Sequence, residues 1–355
     1  MNNVRAIRRL SDGWERTLVP VGSCIKDAIN SLNKSSLQVV LVVDQDRQLL
    51  GTITDGDIRR GLLHEHLLSD PVEFIMHKEP LVALPEMNFD TVCDLMEAYR
   101  VRQVPILDNF NRVTGMYIDR SFYDDSVIPN AMIIMCGGRG TRMLPRTEHI
   151  PKSMLPINGK PILEHIINKA RRDGFYNFVL VIHHLGDVIE RHFGDGESIG
   201  TRISYIKESF PMGTAGGLSF YAGAAKHPVV VTNGDVLSDV SYRDMLDFHE
   251  RHSASATMAV RRHEWTHPFG VVSVDGVDIS GFEEKPVVRS NINAGIYVLD
   301  PSCLAYLKKD EYCDMPDLFT TVRENGARTI AYPIHESWRD IGSPKDYDLA
   351  DSRIM

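Results

Sequence analysis

The run CGGRGTR at residues 136–142 sets glycines at 137, 138 and 140, where backbone N–H groups could close on a phosphate with no Cβ between them. Thr141 and Arg142 finish the run, and a guanidinium can hold two phosphate oxygens at once. A second cation, Lys152, follows Pro151 on a stretch restricted by Pro145 and Pro156. The run lacks the third glycine of a G-x-G-x-x-G dinucleotide loop, and no G-K-[ST] closes it as in a Walker A loop. By itself it reads equally as an ordinary Gly turn of an α/β protein.

Other residues could complete a phosphate site. Residues 208–218, ESFPMGTAGGL, hold Gly213, Thr214, Ala215 and Gly216 ahead of a predicted helix, where a flat base can approach backbone and a helix start favours anions. Asp235 ends the apolar run 228–235, a place for a turn cap or a metal ligand. Asp340, in WRDIG (338–342), is its candidate partner for one Mg²⁺ beside a triphosphate, although spacing alone does not bring the two together. Glu283 and Lys285, in EEKP (283–286), read without context as an exposed salt-bridging loop. Cys24, Cys93, Cys136, Cys303 and Cys313 are dispersed with no C-x-x-C pair, so they read as reduced, buried thiols. The pairs His183-His184 and His64/His66 lack a third ligand at a metal-binding spacing.

The elements that must position these residues fall into two patterns. Residues 17–63 and 71–119 repeat one order of helix, strand, turn and strand, in two units too small for separate cores, which should pack together. The polar, proline-containing stretch 124–130 separates them from the rest of the chain, so domains are expected at 1–127 and 128–355. Beyond it, apolar strands at 131–135, 178–184, 202–208 and 228–235 alternate with helices at 161–174 and 218–226. That alternation predicts an α/β domain whose parallel strands carry ligands at their carboxyl ends.

In this order, the stretch 135–167 resembles the N-terminal motif of the nucleotidylyltransferases that activate sugar 1-phosphates: G-G-x-G-T-R-[LM], P-K-x-[ML]-[LV]-P and G-K-P are all present. The resemblance extends over about residues 131–350 and implies a Rossmann-like mixed sheet of GT-A type. It makes 213–216 the base- and ribose-contacting segment, and Asp235 and Asp340 the metal positions. It assigns Phe269, Gly270, Glu283, Lys285 and Asn293 to the sugar-phosphate pocket, with Arg142, Lys152 and Lys285 as the charge-neutralising catalytic groups. Thr214-Ala215-Gly216 stands where thymidylyl- and uridylyltransferases often carry glutamine, which leans the reading toward GTP.

The first unit of the repeat resembles a cystathionine-β-synthase-type (CBS) domain and the second its partner, together a tandem Bateman module. The resemblance implies an adenine nucleotide, with Thr54 near phosphate, Asp57 on the ribose and Arg59 nearby. In the second unit Ile118 and Ser121 stand where Thr and Asp should be, so at most one full site is expected. The alternative is a dimerising scaffold with no ligand, and a homo-oligomer is expected on either reading.

The expected reaction is attack of a sugar 1-phosphate oxygen on the α-phosphorus of GTP, giving an NDP-sugar and pyrophosphate for cell-surface glycan precursors. The nucleophile is already an anion, so positioning and charge neutralisation carry the rate. The resemblance of such CBS–transferase chains to glucosamine-1-phosphate guanylyltransferase-type enzymes points to an (amino)hexose 1-phosphate, with UTP, CTP and dTTP open. A catalytically silent nucleotide sensor is disfavoured by the intact cation and carboxylate set, and a glycosyltransferase by the missing D-x-D. The net charge of −9 argues against a nucleic-acid partner. No apolar run reaches membrane-spanning length and none comes after the basic start, so a cytoplasmic protein with no membrane partner is expected.

Overall fold

In the computed structural model, which describes residues 7–10, 12–35, 37–119 and 127–351, the chain divides into two units, Met1–Asp125 and Ser126–Met355. Ser121 lies outside the described residues. Unit one runs β1 (Ile7–Leu10), β2 (Leu18–Pro20), α1 (Ile25–Ser35), β3 (Val39–Val43), β4 (Leu49–Thr54) and α2 (Asp55–Leu63), then α3 (Phe89–Ala98), β5 (Gln103–Leu107) and β6 (Val113–Asp119). Two three-stranded sheets result, ordered β2-β3-β4 and β1-β6-β5. All five residues of β3 are buried, because both of its faces are covered. Val40 and Val42 face α1 and α2, whereas Val39, Leu41 and Val43 share one cluster with Leu107, Val113, Met116 and Ile118 of the second repeat. The two repeats thus complete one another's core, as their size demands.

Unit two begins with β7 (Ile128–Met135), the two-residue strands β8 (Pro156–Ile157) and β9 (Lys160–Pro161), α4 (Ile162–Arg172) and β10 (Phe175–Ile182). Next come α5 (Gly186–Phe193), β11 (Arg202–Lys207), β12 (Val229–Asn233), β13 (Val236–Ser238) and α6 (Tyr242–Arg251). The remainder is β14 (Ala256–Thr266), β15 (Val271–Asp275), β16 (Asp278–Glu283), β17 (Val287–Leu299), the single turn α7 (Pro301–Leu304), α8 (Met315–Glu324), β18 (Thr329–Ile334), β19 (Trp338–Asp340) and α9 (Pro344–Asp351). Seven strands form one sheet in the order β11-β10-β7-β12-β17-β14-β18. β17 runs antiparallel to both of its neighbours, so the sheet is mixed. The period-2 alternation of β7 sends Met132 and Ile134 to the α4 and α6 face, and Ala131 and Ile133 to the α8 face. Both faces are covered, which is why these strands read as continuous apolar runs.

Two features depart from the sequence expectation. Residues 218–226 form no α-helix: a 3₁₀ turn, Gly216–Phe220, is followed by a hydrogen-bonded turn over 221–224. β14 and β17 also run past the sheet as an exposed arm, paired out to Thr266 and Val287, and the β15–β16 ribbon lies between them in sequence. Among the described residues no helix is long and apolar enough to cross a membrane.

Candidate functional site

The ends of β7, β11 and β12 open on a cleft of ≈ 440 Å³, lined by Gly137, Gly138, Arg142, Lys152, Gly213 and Thr214 from the predicted set, with both aspartates. This is the carboxyl edge of the parallel strands, the place where α/β sheets hold ligands. Gly140 turns the loop in the left-handed region (φ 62°), and its carbonyl accepts from the Thr147 hydroxyl at 2.8 Å. Arg142 comes next, in the single turn Thr141–Met143, exposed, with no hydrogen-bond or ion-pair partner among the described residues. Gly140 and Thr141 shape the loop without lining the cleft.

A backbone ladder brings the two aspartates together. β13 pairs antiparallel with β19, Val236 opposite Asp340, and the Ile341 N–H donates to the Asp235 carbonyl at 3.0 Å. Trp338 fixes β19 by donating its indole N–H to the Ala294 carbonyl at 2.8 Å. The Lys152 ammonium donates to the Asp235 carboxylate. Part of Asp340 is open to solvent, yet loss of water around its carboxyl, and then the charge of Asp235, push its pKa above the ordinary carboxylate range; Lys152 and Arg142 pull it back. Two hard oxygen donors that repel one another suit a hard divalent cation.

Glu208, which sequence reasoning passed over, is the least ordinary group in the cleft. Its side chain is buried, and Oε1 has no hydrogen-bond partner. The carboxylate lies wedged between two glycines: a Cβ on Gly217 would stand 2.6 Å from Oε1, and one on Gly137 2.7 Å from Oε2. Burial raises its pKa, partly offset by His183 and by the Met212 backbone. A carboxylate immediately after the edge strand β11 and ahead of a Gly-rich segment was the available signal. Asn233, also lining the cleft, has a buried Oδ1 without a partner, and Gly295 leaves room for its amide.

The segment 213–216 is held from behind rather than open to ligand along its length. Thr214 donates its N–H and hydroxyl to Asp314 Oδ1 (2.9 and 3.1 Å), and the N–H groups of Ala215 and Gly216 donate to the Cys313 carbonyl (2.9 and 3.1 Å). A Cβ on Gly213 would meet that same carbonyl at 2.5 Å. Gly213 and Thr214 line the cleft; Ala215 is buried and, like Gly216, lies outside the lining. The Tyr312 hydroxyl donates to Asp314 Oδ2 at 2.7 Å and holds that carboxyl below the usual carboxylate range.

The remaining predicted residues are not gathered by the cleft. Phe269, Gly270, Glu283 and Lys285 stand on the arm and its ribbon, outside the lining. Asn293 supports the backbone: its Oδ1 accepts from the Gly295 N–H at 2.9 Å and its amide donates to the Tyr297 hydroxyl at 2.8 Å. In unit one, Thr54 and Asp57 close a reciprocal capping box at the start of α2. Arg59 is buried in an ion pair with Asp55 at 2.5 Å, and Arg60 pairs with Asp57.

Known proteins match both units. Residues 131–354 match the family model for a nucleotidyl transferase, and residues 22–64 and 72–122 match the CBS domain model. A mannose-1-phosphate guanylyltransferase of Mycobacterium tuberculosis is 33% identical over 221 residues, 61% of this chain and 62% of that protein. A UTP–glucose-1-phosphate uridylyltransferase of Synechocystis is 32% identical over 235 residues, 61% of each. The match therefore spans about three fifths of these relatives' own length. The structure of HddC from Yersinia pseudotuberculosis complexed with GMP-PN superposes with a TM-score of 0.51 at 21% identity, covering 64% of this chain and 100% of that one.

Proposed function

The chain belongs to the nucleotidyl transferase family, and from that premise we propose that it joins GTP to an (amino)hexose 1-phosphate, releasing pyrophosphate and an NDP-sugar. The observation that carries the choice of base is Glu208. An ionised carboxylate only accepts hydrogen bonds, and guanine offers it two donors on one edge, N1–H and the N2 amino group. Uracil and thymine offer a single N–H between two carbonyls, which would face the second carboxylate oxygen with a repelling acceptor. Seven of the matched relatives are described as guanyl- or guanylyltransferases, which supports the same base.

The phosphates lie at Gly137 and Gly138, where a Cβ on Gly138 would meet nothing within 4 Å. Arg142, without a partner among the described residues, takes triphosphate oxygens. Lys152 neutralises charge at the α-phosphate, where the sugar phosphate oxygen enters and pyrophosphate leaves. Asp235 and Asp340 hold Mg²⁺, which when bound adds further charge neutralisation on the triphosphate. Lys285 and Glu283 receive the sugar 1-phosphate from the arm, and Thr54 and Asp57 receive an adenine nucleotide in the CBS pair.

The test is pyrophosphate release from GTP, UTP, CTP and dTTP against a panel of hexose and hexosamine 1-phosphates. GTP with one of these sugars should give the highest kcat/KM. Lys152→Ala and Asp235→Ala should each lose ~100-fold or more in kcat while remaining folded. Near-normal turnover by either variant would overturn the assigned roles.

A further inference from the structure

Tyr312 is the one aromatic side chain among the described residues that line the cleft, and it is 62% exposed. It lies between α7 and α8, in neither helix. Its ring is restrained all the same, because the hydroxyl donates to Asp314 Oδ2 at 2.7 Å while Asp314 Oδ1 accepts from the N–H and hydroxyl of Thr214. The Thr214 hydroxyl oxygen accepts in turn from the Met315 N–H at 2.8 Å, at the start of α8. One carboxylate thus ties an open ring to the Gly-rich segment. A tyrosine whose two side-chain torsions are already set loses little entropy when a ligand covers it.

We propose that Tyr312 is a base-stacking residue that selects purine nucleotides, its ring covering one face of the base while Glu208 reads the edge. The inference rests on the GTP reading above. Close approaches place the ring at the Glu208 end of the cleft. A Cβ on Gly213 would meet the Cys313 carbonyl at 2.5 Å, and one on Gly216 the Glu311 carbonyl at 2.7 Å. Residues 311–313 therefore lie against 213–216, and Gly217, next in the chain, backs onto Glu208 Oε1. Asp235 follows β12, three places along the sheet edge from β11, which leads into Glu208. A carboxylate fixes which edge a base presents and does nothing for its faces. An aromatic ring supplies that contact, and the fused rings of a purine cover more of it than a pyrimidine does. The sugar 1-phosphate is the weaker candidate for this wall, since its phosphate enters beside Lys152, which is tied to Asp235.

The test is pyrophosphate release by the full chain from GTP, ITP and UTP, with the hexose or hexosamine 1-phosphate that turns over best, for wild type, Tyr312→Ala and Tyr312→Phe. ITP keeps the purine face and lacks the N2 amino group, so it separates stacking from edge recognition. Tyr312→Ala should raise KM ~10–100-fold for GTP and ITP alike and only ~2–5-fold for UTP, with kcat held within ~3-fold. KM for the sugar 1-phosphate should stay at the wild-type value. Tyr312→Phe keeps the ring and loses the tie to Asp314, so its KM for GTP should rise by a smaller factor, ~2–5-fold. Equal losses on GTP and UTP, a rise confined to the sugar 1-phosphate, or a Phe variant as weak as the Ala variant would each overturn the proposal. A wild type that takes UTP or dTTP in place of GTP removes the reading of Glu208 and this proposal with it. A wild type that takes GTP, beside a Tyr312→Ala variant of unaltered KM, removes this proposal alone.

Discussion

Glu208 concentrates the energetics of the cleft in one side chain. Its pKa is raised in the folded protein, so the native state holds its proton more tightly than the unfolded chain does. Stability from this group is complete below the unfolded carboxylate value of about 4.3 and is lost as pH rises through the folded value. Glu208→Gln removes that loss. Its melting temperature should exceed the wild type's by ~2–4 °C at pH 8, and the difference should close near pH 4. The same substitution exchanges one acceptor for a donor, so kcat/KM for GTP should fall ~10–100-fold while UTP and dTTP are retained or improved. Equal losses on all nucleotides would remove Glu208 from base recognition, and an unchanged pH–stability profile would contradict its raised pKa. The cations and aspartates of the cleft were legible in the sequence, because each sits in a short run of fixed composition. Glu208 was not, since its meaning depends on Gly137, from a distant loop, and Gly217, from the turn that follows, closing on it together.

α9 is the element that holds the long loop bearing Arg142 and Lys152. Arg146 lies over the Tyr347 ring at 5.0 Å and pairs with Asp348 at 2.9 Å. The Tyr347 hydroxyl donates to the Pro156 carbonyl, and the Asn158 N–H donates to Asp351 at 3.1 Å. The loop is therefore tied at three points to one helix, with the start of β8 among them. Tyr347→Phe keeps the ring and deletes one tie, which should cost about 0.5–1.5 kcal/mol of stability. If that tie sets the position of the cations, kcat should also fall ~3–10-fold with KM for GTP little changed, since small misplacements act on the reacting geometry. A lower melting temperature with unaltered kcat would mark the contact as structural only. At this scale β3, β7, β10 and β12 could be read directly, because strands buried on both faces are unbroken apolar runs. Residues 218–226 could not. Their small residues suit a helix, but the Cys313 carbonyl takes the N–H groups of Ala215 and Gly216, and Glu311 closes on Gly216 where a Cβ would stand. The arm was also hidden, since short motifs matched to a sugar pocket say nothing of how far the strands carrying them leave the sheet.

A chain with a CBS pair and a transferase unit invites the question of whether the two exchange free energy. In unit one the oxygens of Asp57 are engaged, Oδ2 by the N–H and hydroxyl of Thr54 (both 2.7 Å) and Oδ1 by Arg60. A ribose at Asp57 must compete with these bonds. Asp57→Ala should therefore lower stability by about 0.5–2 kcal/mol through the lost cap alone, whatever binds. The informative quantity is the increment on adding ligand. At one hundred times its Kd, AMP, ADP or ATP should stabilise the wild type by about 2.7 kcal/mol and the Asp57→Ala variant far less. A flat response to all three nucleotides would leave the pair a scaffold. Coupling is then tested by reciprocity: if the adenine nucleotide changes GTP affinity by some factor, GTP must change adenine nucleotide affinity by the same factor, typically ~5–150-fold. Titrating each ligand calorimetrically at saturating concentrations of the other measures that factor twice. Agreement at a value above or below one makes unit one a regulator of the cleft, whereas a factor of one in both directions makes the two units energetically independent, even if both bind nucleotide.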